Sequence, residues 1–414
     1  MTELNDELRS RRRLTRRPRA AALLTGAAAL TLLTATACSS SSSGTASTSA
    51  TANGASASAG GAAAAGLAYA QQQVAKYEAA VSSYPAPGPA LNAQKVAALK
   101  GKTVLFVPEG LAGPFVQAQQ SVQTALGHLG INVRTCDPNF LPPQIAACFG
   151  QAKTDGAVAV ITGGISDSLA ANAYATLTAQ GIPVLAAAAG AGNPANTAKL
   201  AFQSEVPSTE LAGTLSADQI IADSGGKANV LFIGVSGAPG VQEQGAQTTA
   251  ELTKHCPACK VVSVSFDATA TSQITSGVSS ALISNPATNY ILVQADANLP
   301  YVLPGVQSAG FANKAKIVAG SGTPAVLVMI HGKQHNIIGD AAFDAAYVGW
   351  NAADGVLRLL TGQPVPAAPY FPVRLFTPDN LQSQQVSAAM DVSPLYGPTT
   401  FQQQFYDLWA GKSS

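Results

Sequence analysis

Residues 101–133, with the sequence GKTVLFVPEGLAGPFVQAQQSVQTALGHLGINV, decide the fold of this chain. Segment 103–107 is a short, continuous apolar run, which is typical of a buried parallel strand. Apolar side chains then recur at helical spacing from Phe115 to Leu129, and 131–133 is again apolar. This order predicts a strand, a helix and a second strand in one βαβ unit with a right-handed crossover.

The same alternation continues to residue 360. About 300 residues exceed what one open sheet usually holds, so we expect an α/β protein with two doubly wound, Rossmann-like lobes. Ligands bind at the carboxyl ends of parallel strands, so a cleft between the lobes is the expected ligand position. The further predicted strands are 157–161, 182–185, 200–202, 229–233, 261–264, 290–294, 316–318 and 337–338, and the further predicted helices are 144–154, 167–180, 210–223, 241–255, 272–283, 301–309 and 342–360.

Residues 1–37 have the pattern of an export signal. Seven arginines precede an uncharged segment at 20–37 that is rich in Ala and Leu. That segment is nearly long enough to span a bilayer, so a membrane anchor is the alternative. Residues 35–38 (ATAC) resemble the lipobox of bacterial lipoproteins, which implies that Cys38 becomes the lipid-modified N-terminus. Residues 10–14 (SRRRL) resemble a twin-arginine signal, so the export route stays open.

Residues 38–66 are almost wholly Ser, Ala, Gly and Thr. They have no large apolar side chains whose burial could offset the entropy lost on ordering, so they predict a flexible tether. An N-terminal helical extension is expected at 67–100.

The exported part of the chain is slightly acidic. Seven of the 23 Lys and Arg residues and three of the 22 Asp and Glu residues lie within 1–37, which leaves 16 basic and 19 acidic side chains. The sequence shows no basic patch and no interleaving of basic and aromatic residues. Nucleic-acid binding therefore has no electrostatic basis here.

Four cysteines remain beyond Cys38, in two close pairs. An even number in an exported protein favours disulfides. Cys136 and Cys148 bracket a Pro-containing loop, and we predict that they close it. Cys256 and Cys259 form a C-x-x-C motif, for which redox chemistry and half a zinc site are the alternatives. Because no second C-x-x-C exists and the motif does not begin a helix, where a thiolate would be stabilised, a disulfide is favoured.

The motifs that suggest catalysis fail in context. Residues 190–195 (GAGNPA) match the dinucleotide fingerprint G-x-G-x-x-A, but a predicted strand follows them where a helix is needed. Residues 234–238 (GVSGA) lack the second glycine of a nucleophile elbow. The four histidines show neither a triad order nor a metal-ligand arrangement. We predict that the chain is not an enzyme and needs no cofactor or metal.

The order of elements and several local motifs resemble the type I periplasmic-binding fold, in particular the ribose-binding branch of ABC-transporter solute receptors. The likeness covers residues 101 to about 362. It is carried by GPF at 113–115, IPVL at 182–185, VQEQG at 241–245, AD at 295–296 and GTP at 322–324.

The resemblance implies a monomer whose lobes are joined by a hinge of three crossings, near Ser204, Asp340 and Pro366. It further implies a small-molecule ligand, an ABC permease as partner and, with the lipid on Cys38, attachment to the outer face of the membrane. The implied domains are lobe 1 at 101–203 and 341–366, lobe 2 at 204–340 and 367–400, and a C-terminal segment at 401–414.

The ligand positions depart from the family's pattern. Its sugar receptors carry Asp-Arg after the fourth strand, where this chain has Ala188 and Ala189. Each hydrogen-bonding partner that a sugar loses costs roughly 1–3 kcal/mol. We therefore expect a less hydroxylated ligand that is partly apolar or carries an amine. The other departures are Gln242 for a cleft Arg, Ala295 for Asn, Ser321 for Asp and Asp340 for a hinge Gln.

Seven residues are candidates for ligand binding, and several have a purely structural alternative. Phe115 is alternatively the first core residue of its helix, and Asp296 and Asp340 are alternatively helix caps. The two glutamates are alternatively solvated. The candidates are Phe115, Gln242, Asp296, Ser321, Asp340, Glu109 and Glu205.

The sequence thus predicts an extracytoplasmic solute-binding lipoprotein that serves an ABC transporter. A ligand-sensing co-receptor for a membrane sensor would have the same sequence, and an envelope lipoprotein with a degenerate pocket is the other alternative. A LacI-type regulator shares the fold, but it would need a helix-turn-helix in place of the export signal.

Overall fold

The computed structural model describes residues 53–85, 88–236, 239–267, 269–367 and 369–412. The predicted export signal, Cys38 and the first part of the predicted tether lie outside the described residues. None of the described helices is both long enough and apolar enough to cross a membrane.

The described chain forms two sheets and the helices that cover them. The strands are β1 Thr103–Pro108, β2 Asn132–Thr135, β3 Ala157–Gly163, β4 Val184–Ala189, β5 Leu200–Ser204, β6 Asn229–Ser236, β7 Lys260–Asp267, β8 Tyr290–Val293, β9 Lys316–Ala319, β10 Ile337–Phe343 and β11 Val373–Phe376. The helices are α1 Asn53–Tyr77, α2 Ala93–Ala97, α3 Pro114–His128, α4 Pro142–Thr154, α5 Asp167–Ala179, α6 Val206–Ser224, α7 Pro239–His255, α8 Ile274–Ser284, α9 Leu299–Ser308, α10 Pro324–His331, α11 Ala345–Thr361, α12 Pro378–Leu381, α13 Ser393–Tyr396 and α14 Phe401–Trp409.

The first sheet is parallel and has the strand order β2-β1-β3-β4-β5. Strands β3 and β4 are almost entirely buried, as expected for a parallel sheet with helices on both faces. Helix α11 returns from the second lobe and packs on α3 and β4. This sheet and its helices form lobe 1.

The second sheet has the order β11-β10-β9-β8-β6-β7. Its strands are parallel except β11, which runs antiparallel to β10. Helix α6 packs against both β10 and α7 on one face of this lobe. The two sheets confirm the predicted α/β class with two doubly wound lobes, whereas strand β11 was not predicted.

Between β1 and β11 the chain crosses from one lobe to the other three times. At the first crossing the Ser204 N–H donates to the Ala367 carbonyl at 2.8 Å, so the first and third crossings touch. The predicted second boundary, directly after Asp340, lies too early, because β10 keeps pairing with β11 up to Phe343. The boundary is Asp344, whose carboxylate caps the first turn of α11.

Helix α1 corrects the prediction of a flexible tether at 38–66. Residues 53–66 belong to α1, which packs on α6 and α7 of lobe 2. At Gly66 the approach is so close that a Cβ would lie 2.0 Å from the His255 carbonyl oxygen. Composition misled because Ala favours helix and small side chains permit close packing on a neighbouring surface. The rest of the predicted tether lies outside the described residues.

The predicted C-terminal segment packs on lobe 1. Trp350 of α11 stacks on Phe405 and Trp409 of α14, and all three are fully buried. The Trp409 Nε1–H donates to Asp354 at 3.0 Å, and Asp354 pairs with the buried Arg358 at 2.6 Å. The C-terminus is therefore part of the core of this lobe.

Both predicted disulfides are present. Cys136–Cys148 joins the residues around the loop before α4, with Cα atoms 5.6 Å apart. Cys256–Cys259 closes the C-x-x-C turn between α7 and β7, with Cα atoms 5.3 Å apart. Each bond lies within one lobe, so neither crosses the hinge.

Candidate ligand cleft

Lobe 1 presents two glutamates at the carboxyl ends of its strands, where ligands bind in parallel α/β folds. Glu109 directly follows β1, and its N–H donates to the Gly163 carbonyl at 2.7 Å, which fixes it beside the end of β3. Glu205 directly follows β5 and is the first residue after the interlobe crossing at Ser204. The two acids thus flank the ends of β3 and β4.

Phe115 lies beside Glu109. A Cβ at Gly164 would be 2.6 Å from the Phe115 ring and 3.5 Å from the Glu109 carboxylate, so ring and carboxylate share the space above this glycine. The ring is only half-buried, whereas the core-facing residues of α3 begin at Gln117. An aromatic face and a carboxylate are therefore both available at one point of the lobe 1 surface.

The two glutamates lie where burial disfavours their charged forms. Burial raises the pKa of Glu109 to about 7. Burial, and secondarily the charge of Glu109, raises the pKa of Glu205 to about 8. Neither carboxylate accepts a hydrogen bond or an ion pair from a described residue.

Ala188 occupies a position where the family resemblance implies a charged residue in sugar receptors. Its φ of 50° is in the left-handed region, which is uncommon for a residue with a Cβ. The pairing of β4 with β5 shifts register between Ala186 and Ala189 around this point. The backbone therefore bends at Ala188, whose methyl side chain offers no hydrogen bond to a sugar.

Gln242 lies on lobe 2 in an open pocket of about 420 Å³. Its side chain is exposed, and Gln294 forms the inner wall. The side-chain oxygen Oε1 of Gln294 accepts from the Val235 N–H at 3.1 Å, and the side-chain Nε2 of Gln294 donates to the Val241 backbone carbonyl. Sequence reasoning missed Gln294, although its position directly after the apolar run of β8 was the available signal. The lining residues are Phe232, Gly234, Val235, Gln242, Gly245, Ala246, Thr249, Ser265 and Gln294.

Asp296 and Asp340 lie together inside lobe 2, with 3% and 0% of their surfaces exposed. Asp296 Oδ2 accepts from the N–H and the hydroxyl of Thr323, at 2.8 and 2.7 Å. Asp340 accepts from the backbone N–H groups of Ser321 and Gly322, at 3.0 and 3.1 Å. Burial raises the pKa of both carboxyls, and the charge of Asp296 raises that of Asp340 further.

These contacts join three of the predicted ligand residues in one internal network. Asp296 does not cap the helix that follows its own strand, since its carboxylate is used by the turn before α10. The Ser321 hydroxyl donates to the Gly320 carbonyl and is half-buried. The seven candidates therefore fall into three places: Glu109, Phe115 and Glu205 on lobe 1, Gln242 in the pocket on lobe 2, and Asp296, Ser321 and Asp340 in the network.

Among the residues that the structure describes, no group of three or more His, Cys, Asp or Glu side chains could hold a metal ion. The chemistry that the site offers is hydrogen bonding, charge and aromatic contact.

The chain belongs to the periplasmic binding protein family. Residues 104–364 match the model of the periplasmic binding protein domain, which is more than half of the 414 residues. No match emerges from a comparison with curated proteins.

Solved structures share the fold at low identity. A sugar ABC transporter protein from Yersinia enterocolitica has a TM-score of 0.65 at 18% identity, over 80% of this chain and 99% of its own. The 5-methylthioribose transporter solute-binding protein of Thermotoga lettingae, in complex with 5-methylthioribose, has a TM-score of 0.63 at 16% identity, over 75% and 97%. A glucose-galactose binding protein from Geobacillus stearothermophilus has a TM-score of 0.59 at 16% identity, over 68% and 99%.

Proposed function

We propose that this chain is an extracytoplasmic solute-binding lipoprotein that captures a small molecule between its lobes and delivers it to an ABC transporter permease. The observation that carries the proposal is the pair of doubly wound lobes joined by three crossings, with polar and aromatic groups at the strand ends. Membership in the periplasmic binding protein family supports it.

The crossings supply the mechanism. The touching pair at Ser204 and Ala367, with Asp344 at the remaining crossing, forms a short hinge between otherwise separate sheets. Only a ligand that contacts both lobes distinguishes an open from a closed form, and it then favours closure. We place Phe115 and Glu109 on one wall and Gln242 on the other.

The ligand is proposed to be of sugar-like size without being a simple sugar. Structural relatives are named for 5-methylthioribose and for glucose and galactose. Ala188 and Ala189 replace the charged pair that holds sugar hydroxyls in the resembled receptors, and the neighbouring groups do not restore it. Free pentoses and hexoses are therefore expected to bind weakly or not at all.

A thermal-melting screen tests ligand capture. The panel contains ribose, glucose, 5-methylthioribose, nucleosides, small aromatics and amines. A specific ligand at a hundredfold excess over Kd adds about 2.7 kcal/mol to the free energy of unfolding, so at least one compound should raise Tm saturably. A saturable shift with ribose or glucose would instead identify an ordinary sugar receptor. No shift with any compound would count against ligand capture.

A single substitution tests the anchor. Cys38→Ala should release the protein from the membrane fraction or leave an uncleaved precursor, because the proposed lipid is attached there. Cys136→Ala with Cys148→Ala, which removes a disulfide and leaves the signal intact, is the matched control and should stay membrane-bound. Normal processing and full membrane retention of Cys38→Ala would overturn the lipoprotein proposal.

A further inference from the structure

The carboxyl edge of lobe 1 has an unusual combination of groups. Glu109 follows β1 and Glu205 follows β5, and the two strands between them, β3 and β4, end in residues with small side chains. Adjacent strands lie about 4.8 Å apart, so the two acids, three strand positions apart, stand on either side of the gap above the ends of β3 and β4. The floor of this gap is formed by Gly163, Gly164, Ala187, Ala188 and Ala189.

The gap holds two carboxyl groups that no cation among the described residues neutralises when they ionise. The described ion pairs of Arg134, Lys316, Arg358 and Lys412 are made with carboxylates elsewhere in the fold. Burial acts on both glutamates, and no cation lowers the pKa of either. Taking a carboxylate out of water is costly unless a partner compensates for it, so ionisation of these two acids is unfavourable until a positively charged group lies beside them.

Phe115 adds a second, independent element. Its ring borders the same space above Gly164 as the Glu109 carboxylate. The face of an aromatic ring attracts an organic cation, and a carboxylate beside it adds an ion pair. A neutral sugar could use the ring face, but it would leave two carboxylates poorly solvated in a closed cleft.

From the two carboxyl groups that pair with no described residue, the ring and the small-residue floor, we propose that the ligand is a small organic cation, an amine or quaternary ammonium compound held by Glu109, Glu205 and Phe115. This proposal rests on the solute-binding function proposed above and specifies its ligand class. The cationic group lies between the carboxylates, and the apolar remainder of the molecule contacts the ring.

Binding of a cation should also be coupled to the release of protons from the two glutamates. With pKa values raised to about 7 and about 8, both glutamates are partly protonated at neutral pH. Binding a cation favours their ionised forms, so protons are released, and affinity rises as pH increases from about 6 to 8. A neutral ligand that accepts a hydrogen bond from the protonated groups gives the opposite dependence on pH.

The test is isothermal titration calorimetry of the purified protein with matched pairs of probes. The cations are choline, 1,4-diaminobutane and 2-phenylethylamine, and their neutral counterparts are 3,3-dimethylbutanol, 1,4-butanediol and 2-phenylethanol. At least one cation should bind ten times more tightly than its counterpart or better. The same titration in buffers of different ionisation enthalpy should show proton release. Equal affinity within every pair, or no binding by any cation, overturns the proposal.

Variants separate this proposal from the broader function. Glu109→Gln and Glu205→Gln should each weaken cation binding tenfold or more, while Glu210→Gln, one turn further along α6, should not change it. Melting curves establish that each variant is folded. If a neutral sugar binds and neither site variant alters its affinity, the cation proposal fails and solute binding stands. If neither sugars nor cations bind, the solute-binding function fails as well.

Discussion

Each lobe carries a pair of carboxylates at or near the carboxyl ends of parallel strands, and the two lobes use these pairs in opposite ways. In lobe 2 Asp296 and Asp340 are buried and their oxygens accept from the backbone of the turn before α10. In lobe 1 Glu109 and Glu205 are only partly exposed and accept from no described residue. A position in the fold therefore does not assign a role; the partners of the side chain do. The lobe 2 pair holds its own loop, and the lobe 1 pair is available to a ligand.

The largest effect should follow from removing a carboxylate of lobe 2. Asp340→Ala leaves the Ser321 and Gly322 N–H groups without their acceptor, which should lower the free energy of unfolding by about 2–4 kcal/mol. Asp340→Asn keeps an acceptor oxygen in place and should cost about 1 kcal/mol or less. Urea unfolding measures both. If Asp340→Ala were as stable as the parent but lost ligand affinity, the comparison between the lobes would be wrong.

A smaller loss of stability should follow from a substitution at Thr323, the hydrogen-bond partner of Asp296. Thr323→Val removes the hydroxyl that donates to Asp296 at 2.7 Å and retains the N–H contact and the shape of the side chain. A hydrogen bond to a charged group contributes about 1.5 kcal/mol, which is the expected loss in the free energy of unfolding. Ligand affinity should be unchanged. A drop in affinity with no loss of stability would move Asp296 into the binding site.

The smallest expected effect is the contribution of Glu205 to the free energy of unfolding of the ligand-free protein, and this effect depends on pH. The pKa of Glu205 is raised to about 8 in the folded chain from 4.5, so between these pH values the folded state holds more protons than the unfolded state. The contribution of Glu205 to stability therefore falls as pH rises from about 4.5 to 8 and is constant above that.

Glu205→Gln removes this penalty. Compared with the parent, the variant should gain on the order of 1 kcal/mol as pH rises through this range, a value reduced by solvent screening of a partly exposed group. Unfolding curves at pH 5 and pH 8.5 measure the gain, with Glu210→Gln as the control. A variant less stable than the parent at pH 8.5 would show that Glu205 has a stabilising partner.

The sequence predicted what depends on local pattern. The alternation of strands and helices from 103 to 360 predicted the two lobes, and the cysteine spacing predicted both disulfides. It did not predict what depends on distant contacts. Asp340 accepts hydrogen bonds from a turn 18 residues away in the sequence. Helix α1 packs on α6 and α7, and its own composition does not reveal this contact.

The same limit applies to the candidate site. Glu109 and Glu205 were found because each ends an apolar strand, a signal present in the sequence. The sequence could not show that no described residue pairs with them, since this depends on where the cations lie in the folded chain. Gln294 was passed over because an amide after a strand carries no charge signal, although its two backbone contacts make it the inner wall of the pocket on lobe 2.

The central claim, that a ligand closes the lobes on each other, is tested most directly by a distance between them. Leu169 and Gln273 are exposed near the amino-terminal ends of α5 and α8, at the carboxyl edges of the two sheets. Spin labels on cysteines at these positions, in a Cys38→Ala background, report the interlobe distance by pulsed electron resonance. The compound with the largest shift in Tm should replace a broad distribution by a narrower, shorter one. An unchanged distribution at saturating concentration would contradict capture between the lobes.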